Sequence, residues 1–517
     1  MYKKIMILCF PLFLNISLSQ ENSNYYQADP FYLIQTEQYN FDNVENMQTL
    51  DIRPLYNRLS KEKFHLSYKS FFIYNDNAPN LENTSDIWVG KGSNLFNSIH
   101  MDYSNSFLYF SIEPFAHISQ NKYHITQFDG PNDGKYIILN DGTPFQKRPY
   151  STISFRESQL YIHKNGFGLG ISNANMWWGP GIHNSLNMTN NTTGFPHLML
   201  GSISEQKWKN LGFNFRYYFT RFDKKNITQP FFTSILGSIR IYSKPIISLG
   251  LMRTFLSGGN ISNENLSASD AMKLPFQSFF KSSLIIDNDF TNPRDDVNQT
   301  FSGYINMLFP ESKLKIYLEY GWNDHRWDWH DFRAYPDHSS AICIGARKYG
   351  IFGKLDYLIG FEYFNNTFGR MYNNPSPAWY GKDFYHYSSY NGRRYTAHAG
   401  ANSDDLIFYI GKNIDKNTIL LSFNYERHGL EKSLKTKENS GTLPEVKLEF
   451  KLDYNHRFEN YNFIIFYEYE YLENVGFEYL NSDLGLFYKD IPFRKSNVFG
   501  VGLEMDLGTL YNKLKLK

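Results

Sequence analysis

The most regular pattern in this chain is an alternation of apolar and polar residues. In residues 445–454 the even-numbered positions are Val, Leu, Phe, Leu and Tyr, and the odd-numbered positions are all charged. Successive side chains of a β-strand point to opposite faces, so this stretch predicts a strand with one apolar and one polar face. The alternation recurs, less strictly, in residues 211–220, 313–321, 419–427, 461–471 and 499–507.

Each of these runs is about ten residues long, which is the length a tilted strand needs to cross the hydrocarbon layer of a membrane. Two tyrosines, Tyr218 and Tyr317, break the alternation because they stand on the polar face of their runs. A soluble β-sandwich or propeller is the alternative, but its strands average about five or six residues. The runs therefore favour an all-β fold, a transmembrane antiparallel β-barrel.

Clusters of Asn, Gly, Pro, Ser and Asp separate the runs, for example in residues 258–267, 287–298 and 367–377. These are loop compositions, and in outer-membrane barrels the long loops face outward while short turns face the periplasm. Aromatic residues near strand ends predict girdles at the two membrane interfaces. The candidates are Trp322, Trp327, Trp329, Tyr385, Tyr387 and Tyr390.

Composition agrees with a barrel. Aromatic residues make up 18% of the 517 residues, including 40 Tyr and 45 Phe, yet the mean hydropathy is only −0.48. Alternating strands produce this combination, because polar lumen residues offset the apolar ones that face lipid. The chain carries 52 basic and 51 acidic residues, and this balance argues against nucleic acid as a partner.

The N-terminus predicts export from the cytoplasm. Lys3 and Lys4 precede an apolar run at residues 5–14, and the small residues Ser17 and Ser19 follow it. We therefore expect a signal peptide at residues 1–19, in a protein of the bacterial outer membrane with lipid around the barrel. The remaining segments are expected to be a periplasmic or lead-in segment at residues 20–60, the barrel at 61–507 and a tail at 508–517. Cleavage leaves Cys343 as the one cysteine, so no internal disulfide is expected.

A motif rich in Gly, Trp and Asn lies in residues 166–197. Its centre is Trp177-Trp178-Gly179-Pro180-Gly181, followed by Asn184-Ser185-Leu186, Asn190-Asn191 and Gly194-Phe195-Pro196-His197. This region resembles the signature of the Wzi-like capsule-assembly proteins, and weaker similarity extends from about Trp88 to Leu406.

The resemblance implies a barrel of about 18 strands. It further implies a surface lectin that helps attach or organise capsular polysaccharide or exopolysaccharide, with capsule-export machinery as a further partner. The chain departs from many outer-membrane barrels in continuing beyond Leu507 rather than ending on an aromatic residue.

The residues of the double-tryptophan motif can also be interpreted from their chemistry. Adjacent indoles on a strand point to opposite faces, so one of Trp177 and Trp178 would meet lipid or the rim while the other enters the lumen. Gly179, Pro180 and Gly181 interrupt the strand and bend the chain. An indole stacked on a sugar is one interpretation, but a bend that anchors an internal loop or plug is favoured, because Gly and Pro at this density indicate backbone geometry first.

The most chemically varied stretch is Asp324-His325-Arg326-Trp327-Asp328-Trp329-His330-Asp331. Asp328 and Arg326 can hydrogen-bond sugar hydroxyls while Trp327 and Trp329 offer flat apolar surfaces, so these four residues are the candidate glycan contacts. An interfacial aromatic belt explains the same residues equally well. The spacing of the two histidines fits no standard zinc pattern, and no metal or cofactor is expected.

An enzyme is not expected either. Glu468 and Glu470 share a strand face, but a polar lumen lining explains them, and no GxSxG, P-loop, HExxH or CxxC motif occurs. The leading hypothesis is a polysaccharide-binding and assembly protein whose lumen is filled. The alternatives are a porin or saccharide channel with an open lumen and, less favoured, an outer-membrane hydrolase.

Overall fold

A computed structural model describes most of the chain. The described residues are 30–44, 47, 50–54, 63–124, 149–226, 228–260, 266–280, 297–323, 333, 336–337, 339–351, 354–367, 379–380, 388–401, 403–414, 416–428, 444–458, 461–475 and 493–508. The predicted signal peptide and nearly all of the predicted C-terminal tail lie outside them.

The described residues form two helices and 23 strands. The helices are α1 (Pro30–Asp42) and α2 (Ala268–Phe280). The strands are β1 (Ile52–Arg53), β2 (Lys63–Asn75), β3 (Gly92–Ser104), β4 (Leu108–Ser119), β5 (Tyr150–Lys164), β6 (Phe167–Ser172), β7 (Trp177–Trp178), β8 (His197–Ser202), β9 (Gln206–Trp208), β10 (Leu211–Arg221), β11 (Phe231–Ile241), β12 (Ile246–Ser257), β13 (Val297–Phe309), β14 (Leu314–Asn323), β15 (Ser340–Ile351), β16 (Lys354–Asn365), β17 (Ser389–Tyr390), β18 (Arg393–Arg394), β19 (Ser403–Ile414), β20 (Asn417–His428), β21 (Glu445–Arg457), β22 (Tyr461–Glu473) and β23 (Phe493–Asp506).

Most of the strands close into one antiparallel barrel. Each barrel strand pairs with the next one along the chain, and the ring closes where β23 pairs with β2, with Met505 opposite Tyr68. β8 and β9 pair in turn with β10, so they form one interrupted strand and the barrel has 18 strand positions. The predicted all-β barrel and its strand number are confirmed.

The alternating runs coincide with β10, β14, β20, β21, β22 and β23. On β21, Phe450 and Leu452 are 41% and 42% exposed on the outer surface, whereas Glu449 and Asp453 are buried in the lumen. This arrangement suits a barrel surrounded by lipid, because the outer face must be apolar while the lumen can hold charged groups. Among the described residues no helix is long and apolar enough to cross a membrane.

The two ends of the barrel differ in the length of their connections. Short turns join strands at one end, such as residues 415–416 between β19 and β20. Long connections lie at the other end, including residues 173–196 between β6 and β8 and residues 366–402 between β16 and β19. By the usual rule for such barrels, the long-loop end faces the cell exterior.

Three of the long connections, together with α1, send described residues into the lumen. Residues 173–196, the main inner loop, include β7, which pairs with β1 so that Ile52 faces Trp178 and Arg53 faces Trp177. Residues 388–401 form the second inner loop, where the carbonyl of Tyr395 accepts from the N–H of Thr189 in the main inner loop at 2.8 Å. Residues 76–91 form the third inner loop.

Both indoles of the double-tryptophan motif are fully buried inside the barrel. Trp178 stacks on Tyr218 of β10, with ring centroids 5.2 Å apart, and Trp177 carries the Arg53 guanidinium 4.5 Å above its ring. The prediction that one indole meets lipid or the rim is therefore wrong. The prediction assumed that both residues belong to a strand of the barrel wall. Instead β7 lies within the lumen and has protein on both faces.

The predicted aromatic girdle is also wrong at Tyr390. This residue is fully buried and packs against Phe195 of the main inner loop, with ring centroids 5.4 Å apart. Tyr390 lies on the hairpin of β17 and β18, which enters the lumen. The aromatic residues near it in the sequence did not indicate this position. Trp327, Trp329, Tyr385 and Tyr387 lie outside the described residues.

Helix α2 lies against the outer face of the barrel. The hydroxyl of Tyr217 on β10 donates to the carbonyl of Met272 at 2.9 Å, and the Tyr217 ring stacks on Phe276 at 5.5 Å. Tyr217 belongs to the apolar face of its alternating run but is only 7% exposed, because α2 covers it.

Candidate functional site

The four candidate glycan contacts, Arg326, Trp327, Asp328 and Trp329, lie outside the described residues. The strands on either side nevertheless fix where this segment begins and ends. Trp322 lies near the end of β14, stacks on Phe301 at 5.7 Å and donates from its indole nitrogen to the carbonyl of Pro336 at 3.0 Å. The segment therefore connects two wall strands at the long-loop end.

The Gly-Pro-Gly bend directs its carbonyl groups toward buried cations. The carbonyl of Gly181 accepts from Arg53 at 3.0 Å, and that of Pro180 accepts from Lys315 and Arg347, each at 3.4 Å. Gly179 has a φ of 132°, which favours glycine. A Cβ at Gly181 would lie 2.2 Å from the carbonyl oxygen of Asn184. Both glycines are needed for the bend itself.

Two wall carboxylates hold the chain just after this bend. Glu362 of β16 accepts three successive backbone N–H groups, those of Ile182, His183 and Asn184, at 2.9, 3.2 and 2.5 Å. Glu319 of β14 accepts from the N–H of Leu186 at 3.3 Å and from the hydroxyl of Ser302 at 2.8 Å. Charge-assisted bonds of this kind are stronger than neutral ones, so they tie the main inner loop firmly to the wall.

The anchored segment carries His183 into a cluster with His398 and Asp405. His398 comes from the second inner loop and Asp405 from β19. The two Nε2 atoms, of His183 and His398, lie 3.2 and 3.3 Å from the same Oδ2 atom of Asp405. The imidazole centroids are 4.3 Å apart at an interplanar angle of 70°.

Further carboxylates surround this cluster. Glu82 of the third inner loop and Glu426 of β20 lie 3.7 and 3.8 Å from His398 Nε2. Lys447 of β21 pairs with Glu82, and it also lies within ion-pair distance of Glu426, Glu449 and Glu470, at 3.5, 3.0 and 4.0 Å. Two of these carboxylates have a further basic partner, because His428 lies 2.6 Å from Glu426 and Arg494 lies 3.6 Å from Glu470.

The charges shift the pKa of the loop groups in the cluster. Burial would lower the pKa of His183, but the charge of Asp405 and its hydrogen bond raise it to about 9. Burial raises the pKa of Glu82, against the lowering effect of Lys447 and His398. Asp405 therefore favours a positive charge on His183.

Asparagine amides fix the position of the central carboxylate. Asn184 donates from Nδ2 to Asp405 Oδ2 at 2.6 Å. Asn424 of β20 donates to Asp405 Oδ1, and its amide nitrogen lies 3.1 Å from His183 Nε2. Asp405 is thus held by two neighbours besides the imidazoles, so its orientation is fixed before any ligand arrives.

Glu468 and Glu470 do not form an isolated acid pair. Glu468 lies 3.0 Å from Lys451, and Glu470 lies 3.6 Å from Arg494 and 4.0 Å from Lys447. These contacts are those of a charged lumen lining, as the alternation of β21 and β22 predicts. The alternating acidic and basic residues of β21 pair with charged residues on neighbouring strands.

Sequence analysis did not identify the cluster of His183, His398 and Asp405. Its members come from two separate inner loops and one wall strand, and no local spacing connects them. The usable signals were indirect. Asn184 lies within the double-tryptophan region, and Asp404, the neighbour of Asp405, lies in a weaker patch of the same resemblance.

Comparison with known proteins identifies one family from the sequence and a similar fold among solved structures. The family model "Capsule assembly protein Wzi" matches residues 76–477, which is most of the chain. No curated protein sequence matches.

Among solved structures, the chain is similar to Wzi of Escherichia coli, described as an outer-membrane carbohydrate-binding β-barrel involved in group 1 capsule assembly. The identity is 10% and the TM-score 0.53, over 85% of this chain and 84% of the other. It also matches OprD of Pseudomonas aeruginosa at 9% identity and a TM-score of 0.41, over 87% and 95% of the two chains. At such identities the similarity concerns the fold.

Proposed function

This chain belongs to the Wzi capsule assembly protein family, and on that basis we propose that it is a surface lectin that binds capsular polysaccharide. Family membership and the closed barrel place the protein in the bacterial outer membrane. Binding at the long-loop end would help to attach or organise capsular polysaccharide, or another exopolysaccharide, at the cell surface.

The observation that carries the proposal is the way the inner segments occupy the lumen. The main inner loop is bonded to β14 and β16 through Glu319 and Glu362, and it packs on β10 through Tyr218. The third inner loop also contacts the wall, where Glu82 pairs with Lys447 of β21. A barrel filled in this way supports a role in surface binding rather than in transport.

A diffusion channel would need an open path through these contacts. A hydrolase would need a carboxyl pair available to substrate, and the closest candidates, Glu468 and Glu470, are both in ion pairs. The contacts among the described residues favour neither alternative.

We assign the glycan contact to the segment between β14 and β15. Trp327 and Trp329 would stack on sugar rings while Arg326 and Asp328 hydrogen-bond hydroxyls. The strands on either side end at the long-loop end of the barrel, which supports a contact between this segment and surface polysaccharide. The double-tryptophan motif has a separate role, since its residues are buried and anchor the main inner loop.

Capsule retention tests this proposal. A deletion strain is complemented with the wild-type protein or with the double substitution Trp327→Ala and Trp329→Ala, and cell-bound and shed polysaccharide are measured. We expect the double variant to retain several-fold less polysaccharide. Trp208→Ala is the matched control, because Trp208 is 62% exposed at the short-turn end.

Two results would contradict the proposal at different levels. Unchanged polysaccharide in the deletion strain would overturn the function itself. Normal retention with the double variant, together with loss in the deletion strain, would overturn only the assignment of the loop. Each variant is first checked in detergent gels, where a folded barrel migrates faster unboiled than boiled.

A further inference from the structure

We propose that His183, His398 and Asp405 bind a divalent transition-metal cation of the zinc type inside the barrel. This site would join the main and second inner loops to the wall strand β19. The inference is independent of polysaccharide binding, because it concerns how the inner loops are held.

Geometry is the first argument. Zinc binds imidazole nitrogen and carboxylate oxygen at about 2.0–2.2 Å, so neighbouring ligands of a tetrahedral ion lie roughly 3.3 Å apart. The two Nε2 atoms lie 3.2 and 3.3 Å from Asp405 Oδ2. Each imidazole nitrogen therefore lies at this spacing from the carboxylate oxygen, and all three ligand atoms lie within 4.8 Å of one another.

The orientation of His398 is the second argument. Its Nδ1 lies 3.1 Å from the carbonyl oxygen of His183 and can donate to it. Metal-bound histidines use this arrangement, because a bond from one ring nitrogen fixes the tautomer and directs the lone pair of the other toward the metal. Here Nε2 faces the group formed by Asp405, Glu82 and Glu426.

Charge is the third argument. Three carboxylates around one imidazole nitrogen repel one another unless a cation lies among them. Lys447 is shared among Glu82, Glu426, Glu449 and Glu470. His428 and Arg494 also pair with Glu426 and Glu470, at 2.6 and 3.6 Å, so these three basic residues face four glutamates and Asp405. A dication at the imidazoles would reduce the excess, and Glu82 or Glu426 could supply a fourth ligand.

Unused oxygen atoms at the edge of the cluster are the fourth argument. The side chains of Asn184 and Asn424 are each 1% exposed, yet the Oδ1 atom of each accepts no hydrogen bond from the described residues. Both amides contact Asp405 through their nitrogen atoms. Buried polar atoms are rarely left unpaired, so these oxygens indicate a ligand nearby.

A cation can reach the site. The side chains of Glu82 and His183 are 17% and 14% exposed, whereas His398 and Asp405 are fully buried. The ligand set, two imidazoles and one carboxylate with one open position, suits zinc or cobalt better than calcium or magnesium, which prefer oxygen ligands.

Metal titration of the full-length protein in detergent tests the proposal. After chelator treatment, Zn²⁺ is added and binding is followed by calorimetry. We expect one saturable site per chain in the wild type, and binding weakened by more than about 100-fold in H398Q and in D405N. H163Q is the matched control, because His163 is a buried lumen histidine at the short-turn end.

A second measurement does not depend on the variants folding. Co²⁺ added to the wild-type protein should give the visible absorption of a four-coordinate ion, and Zn²⁺ should abolish it. No saturable Zn²⁺ binding, or no such absorption, would overturn the proposal. So would equal binding by the wild type and by folded D405N, since the metal would then bind elsewhere.

Discussion

Trp178 connects the main inner loop to the barrel wall through contacts between aromatic rings. Its indole is fully buried, stacks on Tyr218 and also approaches Phe232, whose ring centroid lies 6.4 Å away. Large aromatic residues contribute strongly to cores because they bury much apolar surface, and stacked pairs add a further increment.

Replacing Trp178 by Ala should therefore loosen the main inner loop while the barrel remains closed. Truncation of a buried tryptophan costs about 3–5 kcal/mol. We expect amides in residues 173–196 to exchange hydrogen faster by mass spectrometry in detergent, with no change in β20 to β23. Trp208→Ala should leave all rates unchanged, and wild-type exchange in W178A would contradict the anchoring role.

The alternation of apolar and polar residues predicts which face of a strand meets lipid. Aromatic residues that stand on the polar face indicate contacts in the lumen. Tyr218 and Tyr317 broke the pattern, and both are buried in the lumen. Tyr218 stacks on Trp178 of the main inner loop, and the hydroxyl of Tyr317 donates to Glu362 of the wall strand β16 at 2.6 Å. The outward residues of the same strands followed the pattern because lipid imposes one requirement on all of them.

Among the elements, α1 is held in the lumen by a buried ion-pair group. Glu37 lies 3.0 Å from Lys315 and 2.8 Å from Arg347, and it accepts from the hydroxyl of Tyr349 at 3.0 Å. Burial would raise the pKa of Glu37, but the charges of Arg347 and Lys315 lower it to about 2.

This lowered pKa predicts that α1 is released in acid. A carboxyl whose pKa is lowered on folding stabilises the folded state above its unfolded value of 4.5, and this stabilisation is lost as the pH falls toward 2. A nitroxide on Asp42→Cys should be immobile near neutral pH and become mobile over that range. Cys343 is buried and should remain unlabelled.

Glu37→Gln is the matched variant for this experiment. Removing one partner of a buried ion pair costs about 3–5 kcal/mol, because the remaining cations lose their compensation. We expect the label to be mobile at every pH in this variant. Identical, pH-independent spectra in both proteins would show that the ion pairs do not hold α1.

Strand positions were predictable from the sequence, whereas the inner loops were not. Each wall strand meets the same environment, lipid outside and polar groups inside, so alternation alone located β21 and β22. The inner loops contact only protein, and their partners lie far away in the chain: His183 is bonded to Glu362, 179 positions later. Local patterns carry no information about such contacts, which is why the histidine cluster went unrecognised.

At the scale of the whole molecule, the closed wall and the inner segments together determine whether ions and solutes can pass through the barrel. The main inner loop spans from β10 to β16, and the third inner loop contacts β21 and β22 through Glu82 and Asn80. A filled lumen predicts that the protein conducts little or no ion current in a planar bilayer.

Removing the main inner loop should open the barrel. Ser172 and His197 are paired across β6 and β8, so a short turn of Asn and Gly residues can replace residues 174–195 without disturbing the wall. We expect this variant to conduct in discrete steps and the wild type to remain silent. Replacing residues 268–280, which form α2 on the outer face, should leave the barrel silent because no lumen contact is lost. Large wild-type currents blocked by sugars would instead support a saccharide channel and contradict the filled lumen.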